Sequence, residues 1–356
     1  MSRFVQLHIL TSYPPSNLNR DDTGRPKTAV VGDCTRLRIS SQSLKRAWRT
    51  SDVFETALKG HIGTRTKEMG VEVFNALIEK GIGEKNAREW AKLIALQFGK
   101  LKSDKKTDKN EDLHVEQLVH FSPEERQAID ALVIGLAASD TAPVAGELQL
   151  LRKQESAVDI AMFGRMLAGS PSFNTEAAIQ VAHAITVHKA AVEDDYFIAV
   201  DDLNTGDVDR GAAHIGEAGF GAGVFYLYIC IDRALLRQNL GGDDALTKKA
   251  LNAFINAVTK VSPTGKQNSF GSRAYAGYVL AEKGDQQPRT LAQAFLRAVT
   301  ADAKKGENTL SRAIGELSKR RTNFDKVYGA CSDAHFQIDV ETGEGTLAGL
   351  VDFVAS

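Results

Sequence analysis

The chain has 356 residues, and its 44 Lys and Arg against 45 Asp and Glu give a formal net charge of −1. A hydrophobic share of 43% is ordinary for a soluble globular protein, and no apolar stretch approaches the roughly 18 residues that a membrane-spanning helix needs. Three cysteines, far apart in sequence, fit a reduced interior better than a disulfide scaffold. We therefore expect a cytoplasmic protein of one or two domains with no membrane partner.

The near-neutral total hides an uneven distribution of charge. Residues 1–50 contain nine Lys or Arg and three Asp, so this segment carries +6 and the remainder carries −7. A basic segment on an acidic body is a reason to consider a polyanionic partner. A solvated charged face explains the same distribution, so charge alone leaves both interpretations open.

The first predicted element is a strand followed by a long loop. Residues 3–11 place Val5, Leu7 and Ile9 at alternate positions, and this period of two predicts a strand. Residues 12–37 contain several Pro, Gly and Asp residues, which predict a loop. Loops of this length inside a compact domain are usually functional or disordered.

The middle of the chain, from about 53 to 190, is predicted to be mostly helical. Residues 122–125 read Ser-Pro-Glu-Glu, which supplies the cap, the proline and the acids of a helix start. A Lys-rich polar stretch at 100–112 separates two of the helices. The predicted helices are 71–80, 84–99, 122–138 and 175–190.

The C-terminal part mixes strands and helices. Residues 223–232 have apolar side chains on both faces, which predicts an interior strand, and residues 201–223 are predicted to form an exposed excursion. Without the excursions, the order strand, helix, strand, strand, helix, strand is the ferredoxin-like arrangement of RNA-recognition domains, which many unrelated proteins share. The sequence therefore predicts an α+β fold with an inserted helical block. The other predicted elements are strands at 196–200 and 273–281 and helices at 243–260, 288–303 and 308–320.

Patterns typical of enzymes and metal sites are incomplete in this sequence. Residues 263–266 resemble the end of a phosphate-binding loop, but Lys260 replaces its first glycine and Gln267 its Ser or Thr. No nucleophile elbow and no CxxC pair occur. His183 and His188 lie five apart on a predicted helix, roughly 140° around its axis, so they do not converge on a metal. We expect no metal and no cofactor.

Two acidic pairs, Asp21-Asp22 and Asp201-Asp202, remain as candidates for chemistry. Each could supply acidic ligands or a general base. Asp is also a common turn former, and either member of the first pair could form a salt bridge with a neighbouring arginine. No nucleophile, base and orienting group are assembled by the sequence.

The strongest local feature is a basic helix after the long loop. Ser40 or Ser41 can cap a helix that starts near Gln42, with Leu44 and Trp48 facing inward. Hydroxyl, amide and free N–H groups at a helix start, followed by cations, suit a chain of phosphates in RNA or DNA of any sequence. An exposed basic face without a partner is the alternative. The cations of this helix are Lys45, Arg46 and Arg49.

These and later residues together resemble the CasC family, the backbone subunits of the type I-E Cascade, a CRISPR surveillance complex. The N-terminal match is Ser16-x-Leu18-Asn19-Arg20-Asp21-Asp22, Lys27 and Arg38 to Ala47. The later matches are Asp159 to Ala161, Gly164 to Met166, Ala182 to Thr186 with His188, Phe197, Ala199 to Leu203, Ala213 to Gly216 and Gly223 to Tyr226. In the remaining residues the order of the predicted elements resembles that of the family, without matching motifs.

The resemblance implies a hand-like fold on an RRM-like (ferredoxin-like βαββαβ) palm. On this chain the palm is expected at 1–52 and 224–356, helical fingers at 53–190 and a β-hairpin thumb at 191–223. Copies of such a subunit polymerise head to tail along the CRISPR RNA, and each thumb displaces one nucleotide. The implied partners are CRISPR RNA, target DNA through guide pairing, copies of the chain itself and other Cascade subunits.

The resemblance also implies site residues. Met166 from the fingers, with Phe197 and Ile198 at the thumb base, would pack around the displaced nucleotide. Core packing is the alternative for Met166 and Phe197, and Ile198 cannot bond a phosphate as a small polar residue would. The Lys-rich stretch near 100–109 would touch target DNA or be a solvated loop. The residues implied to contact guide phosphates are Arg20, Lys27, Ser40, Gln42, Lys45, Arg46 and Arg49.

We therefore expect a non-catalytic RNA-binding scaffold, with two rivals. The first is a ribonuclease that uses Asp21 or Asp22, because backbone subunits of the related type III complexes cut RNA with an acid in a palm loop. The second is an RNA chaperone that works alone.

Overall fold

The computed structural model describes residues 2–103, 110–152, 156–199, 214–304 and 306–356. The chain divides into two compact units, each described by itself below. The sheet unit comprises residues 1–54, 180–233 and 251–356, and the helical unit comprises residues 55–179 and 234–250. The predicted palm, fingers and thumb remain predictions; the short segment 234–250 belongs to the helical unit although it lies far along the chain.

Strands and helices of the described residues are numbered in chain order. The strands are β1 (Phe4–Ser16), β2 (Thr28–Val31), β3 (Cys34–Ile39), β4 (Thr64–Thr66), β5 (Val119–Phe121), β6 (Ile179–Val181), β7 (Ala184–Thr186), β8 (Glu193–Ala199), β9 (His214–Asp232), β10 (Tyr278–Gly284) and β11 (Ala334–Asp339). The helices are α1 (Ser41–Arg49), α2 (Asp52–Ala57), α3 (Met69–Glu79), α4 (Glu84–Leu96), α5 (Pro123–Ser139), α6 (Val158–Phe163), α7 (Arg233–Asn239), α8 (Asp244–Lys260), α9 (Gln267–Phe270), α10 (Thr309–Tyr328) and α11 (Leu347–Ala355). Single 3₁₀ turns lie at Glu111–Leu113, Pro171–Phe173 and Ala292–Phe295.

The sheet unit is built on an antiparallel sheet with the order β11-β10-β1-β9-β7-β3-β2. Strand β8 lies off this path and pairs with the first part of β9. Both β1 and β9 are interior strands and are buried on both faces, as the sequence predicts for residues 223–232. The α+β class is therefore confirmed.

Helices α3, α4 and α5 supply the core of the helical unit. Trp90 and Phe98 are among its buried residues, and the Phe98 ring meets Phe121 edge-on at 4.7 Å. Helix α5 begins as predicted, because Ser122 and Glu125 form a reciprocal capping box. No helix in the described ranges is both long enough and apolar enough to cross a membrane.

Three predictions of secondary structure are wrong in whole or in part. The predicted helix at 175–190 contains β6 and β7 instead, since strands of three residues are too short to show a period of two. The predicted loop 12–37 contains the end of β1, with a register shift at its two prolines, and the β2–β3 hairpin. The predicted helix at 288–303 contains a single 3₁₀ turn.

Hydrogen bonds to distant residues explain why residues 288–303 do not form the predicted helix. Leu291, Phe295 and Val299 are buried at helical spacing, which produced the prediction. The buried guanidinium of Arg36 donates to the carbonyl of Phe295 at 2.9 Å, and the N–H of Val299 donates to the carbonyl of Val187 at 2.9 Å. The backbone is thus satisfied by the sheet rather than by a helix.

Candidate nucleic-acid interface

Helix α1 has the cap and the two faces that the sequence predicts. Ser40 is the N-cap, and its hydroxyl accepts the N–H of Ser43 at 3.3 Å. Leu44 and Trp48 are buried, and the Trp48 ring meets Phe254 edge-on at 5.7 Å. The packed face fixes the opposite face toward solvent.

The polar and cationic residues of α1 lie on that solvent side. Gln42 and Arg46 are exposed, whereas Ser41, Lys45 and Arg49 are half-buried. Arg46 and Arg49 occupy the last turn, where the helix dipole favours cations. Burial lowers the pKa of Lys45, and a phosphate beside it would favour the charged form.

Hydrogen bonds hold the segment 17–27 against the start of α1. The side-chain Oδ1 of Asn19 accepts the N–H of Ser40 at 2.8 Å, and the Asn19 carbonyl accepts the N–H of Lys27 at 2.8 Å. The Lys27 carbonyl in turn accepts the N–H of Arg38 on β3 at 2.8 Å. The part of the long loop that carries basic residues is therefore ordered beside the helix.

An open cavity of about 530 Å³ lies between this segment and α1. Arg20 and Arg46 both line it, so the fold brings two predicted site residues together. Asp21 and Asp22 line it as well. The other lining residues are Leu18, Asn19, Gly24, Ser43, Ala47, Thr50, Thr264 and Gly265.

Thr264 and Gly265 were not assigned to the site by sequence reasoning. A Cβ on Gly265 would lie 2.4 Å from the carbonyl oxygen of Leu18, so glycine permits this close approach. The only signal in the sequence was the incomplete phosphate-loop pattern of residues 263–266.

Asp21 forms a turn. Its Oδ1 accepts the N–H of Thr23 at 2.9 Å, the hydroxyl of Thr23 at 2.8 Å and the N–H of Arg25 at 3.0 Å. The hydrogen bond from the Thr23 hydroxyl lowers the pKa of Asp21. Within the described ranges, neither Asp21 nor Asp22 forms the alternative salt bridge with an arginine. The second acidic pair, Asp201-Asp202, lies outside the described residues.

Strands β8 and β9 form a hairpin in the region expected for the thumb, and residues 200–213 between them lie outside the described residues. Phe197 faces Gly216 across the pair, and a Cβ on Gly216 would lie 2.3 Å from the Phe197 ring. The glycine thus makes room for the ring. Phe197 is 43% exposed and Ile198 is 51% exposed, so neither side chain is in the core.

Arg25 and Asn17 connect the basic segment with this hairpin. The Arg25 guanidinium lies 2.9 Å from Asp194 and 3.9 Å from Glu217. The Asn17 amide donates to the carbonyl of Gly219 at 2.8 Å. The base of the hairpin and the segment 17–27 therefore form one structure.

Met166, in the helical unit, is held on the surface by two buried neighbours. Its side chain is 78% exposed, whereas Arg165 and Leu167 are 5% and 4% exposed. Arg165 forms an ion pair with Glu125 at 2.7 Å, and the N–H of Leu167 donates to Asn174 Oδ1 at 2.6 Å. Core packing, the alternative for Met166, is therefore wrong.

The Lys-rich stretch lies partly outside the described residues, which omit 104–109. Of its described lysines, Lys100 lies 3.0 Å from Glu116, and Lys102 lies 3.0 Å from Glu111. These two cations are therefore paired within the protein. Contact between the Lys-rich stretch and target DNA stays a prediction.

His183 and His188 lie on either side of β7 and outside any helix, not on one helix as predicted. Nδ1 of His183 lies 2.8 Å from Nη1 of Arg38, and Nε2 of His188 accepts the N–H of Val224 at 3.2 Å. The described part of the chain contains no group of His, Cys, Asp or Glu that could hold a metal ion.

Comparisons with known proteins cover almost the whole chain. The family model for "CT1975-like protein" matches residues 5–350. A solved "CRISPR RNA-guided surveillance complex, pre-nicking" has a chain that is 28% identical with a TM-score of 0.84, and the alignment covers 99% of each chain. A chain of another solved "CRISPR RNA-guided surveillance complex" is 25% identical with a TM-score of 0.73, again over 99% of each chain. The search of curated proteins gave no match.

Proposed function

Because the chain belongs to the CT1975-like family, to which the CasC backbone subunits correspond, we propose that it is a non-catalytic CRISPR RNA-binding subunit of a type I-E Cascade. The two similar structures are RNA-guided surveillance complexes, and both align over 99% of this chain. In this proposal, copies of the chain line the guide RNA, together with other Cascade subunits, and leave its bases free to pair with target DNA.

The cavity along α1 carries the proposal. Arg20 and Arg46 line it, and so does Ser43 in the first turn of α1. Cations and helix N-termini are the groups that bind nucleic-acid phosphates. Contacts of this kind hold the backbone and read no bases, which suits a subunit that must accept guides of every sequence.

The exposed apolar side chains support a second part of the proposal. Met166, Phe197 and Ile198 are all well exposed, although apolar side chains gain from burial. We infer that each of these three side chains packs against a displaced nucleotide. Ile198 contributes apolar contact only, since it has no donor for a phosphate.

The order of the sheet supports an RRM-like palm. Strands β10, β1 and β9 are consecutive neighbours, and β7 follows β9. These are the fourth, first, third and second strands of a ferredoxin-like sheet if β7 takes the place that the sequence gave to residues 196–200. Its helices would be α1 and α8, which meet through Trp48 and Phe254.

The environment of Asp21 supports a non-catalytic role. A general base works best with a pKa near the operating pH, whereas hydrogen bonds lower the pKa of Asp21 and commit its Oδ1 to the turn. Incubating the assembled complex with complementary RNA and Mg²⁺ tests the rival. Periodic cuts that disappear in Asp21→Ala or Asp22→Ala would establish a ribonuclease.

The salt dependence of guide binding tests the phosphate contacts. Lys45→Ala with Arg49→Ala should weaken binding equally for guides of different sequence. It should also reduce the slope of log K against log salt by about 1.4, because each phosphate contact on a single strand contributes about 0.7. Lys248→Ala with Lys249→Ala, two exposed lysines of α8, is the matched control. An unchanged slope in the variant at Lys45 and Arg49 would show that these two residues do not contact guide phosphates.

Assembly on RNA separates the scaffold from the chaperone. Heterologous contacts between copies propagate along a filament, so particle mass should rise in steps with guide length. Native mass spectrometry of complexes on guides of increasing length measures this. A single copy on every guide, unaffected by deletion of residues 200–213, would support a chaperone that works alone.

A further inference from the structure

Arg38 and His183 form a hydrogen-bonded pair that the phosphate contacts described so far do not include. Arg38 lies on β3, and its Nη1 is 2.8 Å from Nδ1 of His183. Guanidinium nitrogens can only donate, so Nδ1 must accept and carries no proton. His183 is therefore neutral, with its proton on Nε2.

The surroundings of His183 are cationic. Burial is the main cause that lowers its pKa, and the charges of Arg38 and Lys27 lower it further. Lys27 lies beside Arg38, because its carbonyl accepts the N–H of Arg38 at 2.8 Å. In the part of the chain that the structure describes, neither Arg38 nor Lys27 forms an ion pair with a carboxylate. Two cations and an imidazole thus share a surface without a counter-charge.

The pair continues the proposed phosphate track. Strand β3 ends at Ile39, and Ser40 caps α1, so Arg38 lies two residues before the cap. Lys27 and Arg38 also line a small cavity that is shared with Asn19, the residue whose side chain fixes Ser40. A nucleic-acid backbone that contacts the start of α1 can reach Arg38 without leaving this surface.

We propose that Arg38 and His183 form a further binding site for a nucleic-acid phosphate beside Lys27, in which His183 gains a proton as the phosphate binds. The inference rests on the proposed function. Phosphate oxygens replace Nδ1 as acceptors for the Arg38 guanidinium, and Nδ1 takes up one proton from solvent. The imidazolium then donates to the phosphate, because a nearby anion favours the charged form.

Proton uptake makes guide binding pH-dependent. A complex that binds one more proton than its free parts gains affinity as pH falls, by up to roughly tenfold per pH unit. The gain occurs between the pKa of His183 in the free chain and its higher pKa in the complex. Phosphodiesters keep their charge throughout this range, so the RNA backbone itself does not titrate.

Fluorescence anisotropy of the full chain with a labelled CRISPR RNA, at constant ionic strength and from about one pH unit above to one below the ordinary histidine pKa of about 6.5, tests the site. His183→Gln should remove most of the pH dependence. Arg38→Gln should lower affinity and reduce the salt slope by about 0.7. The matched control is His335→Gln, an exposed histidine on the edge strand β11, which should keep the wild-type pH dependence. Circular dichroism of each variant checks that it is folded.

The outcomes separate this site from the proposed function. A folded His183→Gln chain with wild-type pH dependence overturns proton uptake, and a folded Arg38→Gln chain with unchanged affinity and salt slope overturns the site. Either result leaves the double variant at Lys45 and Arg49 to decide guide binding independently. If inorganic phosphate raises the pKa of His183 in NMR titrations but RNA does not, the site binds a free anion and the nucleic-acid assignment is wrong.

Discussion

Removing Arg165 should destabilise the helical unit strongly. Its side chain is 1% exposed and lies 2.7 Å from Glu125, which is fully buried. The guanidinium also donates to the carbonyls of His120 at 3.2 Å and Phe173 at 3.1 Å. Arg165→Met fills similar volume but leaves a buried carboxylate without its counter-charge. Breaking a buried pair in this way costs about 3–5 kcal/mol, a large share of the 5–15 kcal/mol of a typical domain.

Urea unfolding followed by circular dichroism measures this cost. Arg165→Met with Glu125→Gln should recover part of the loss, because Gln carries no charge and can still fill the capping-box position. The control is Arg237→Met in the same unit, where the partner Asp244 is 71% exposed and the pair is worth about 0–1 kcal/mol. If Arg165→Met costs no more than Arg237→Met, the buried pair is not what holds Arg165 and displays Met166.

Two further effects follow from the sheet unit. Ser40→Ala should cost about 1 kcal/mol through loss of the N-cap, seen as faster hydrogen exchange at the Ser43 amide; an unchanged exchange rate would contradict it. Acid should destabilise the fold through the buried pair His8–Glu282. Burial lowers the pKa of His8, and hydrogen bonds from His8 and Arg289 outweigh burial to lower that of Glu282. Each group contributes its full stability above the pKa that it has in the unfolded chain, about 6.5 for His8 and 4.3 for Glu282. This stability is lost as the pH falls below those values, by up to roughly 1.4 kcal/mol per proton and per pH unit. Urea unfolding midpoints that stay constant between neutral pH and pH 5, at fixed ionic strength, would refute this.

Long elements with a clear apolar period could be predicted from the sequence. Short elements, and elements that depend on contacts with distant residues, could not. Helices α4, α5 and α8 repeat apolar residues over several turns, so their periods are visible. Strand β7 has three residues, and the 3₁₀ turn Ala292–Phe295 depends on hydrogen bonds from distant residues such as Arg36. Local patterns contain no information on such partners.

The same limit applies to the site. The cap at Ser40 and the inward faces of Leu44 and Trp48 are local, and the sequence predicted them. Thr264 reaches the cavity only because its loop lies against Leu18, and Arg38 meets His183 only because β3 pairs with β7. Both are consequences of sheet topology. The motif at residues 38–47 identified the region, and the fold supplied the remaining members.

The uneven charge of the chain is explained by how its N-terminal cations are used. Arg36 is buried and donates to carbonyls, Arg3 lies 2.7 Å from Asp232, and Arg25 lies 2.9 Å from Asp194, so these three serve the fold. The other cations of residues 1–50 gather on the segment 17–27, the end of β3 and α1. They are Arg20, Lys27, Arg38, Lys45, Arg46 and Arg49. Because the Debye length at physiological salt is about 8 Å, a phosphate on this surface interacts mainly with these six cations and with the neighbouring Asp21 and Asp22, while most of the acids of the remaining chain are screened. A net charge of −1 is therefore compatible with tight binding of a polyanion.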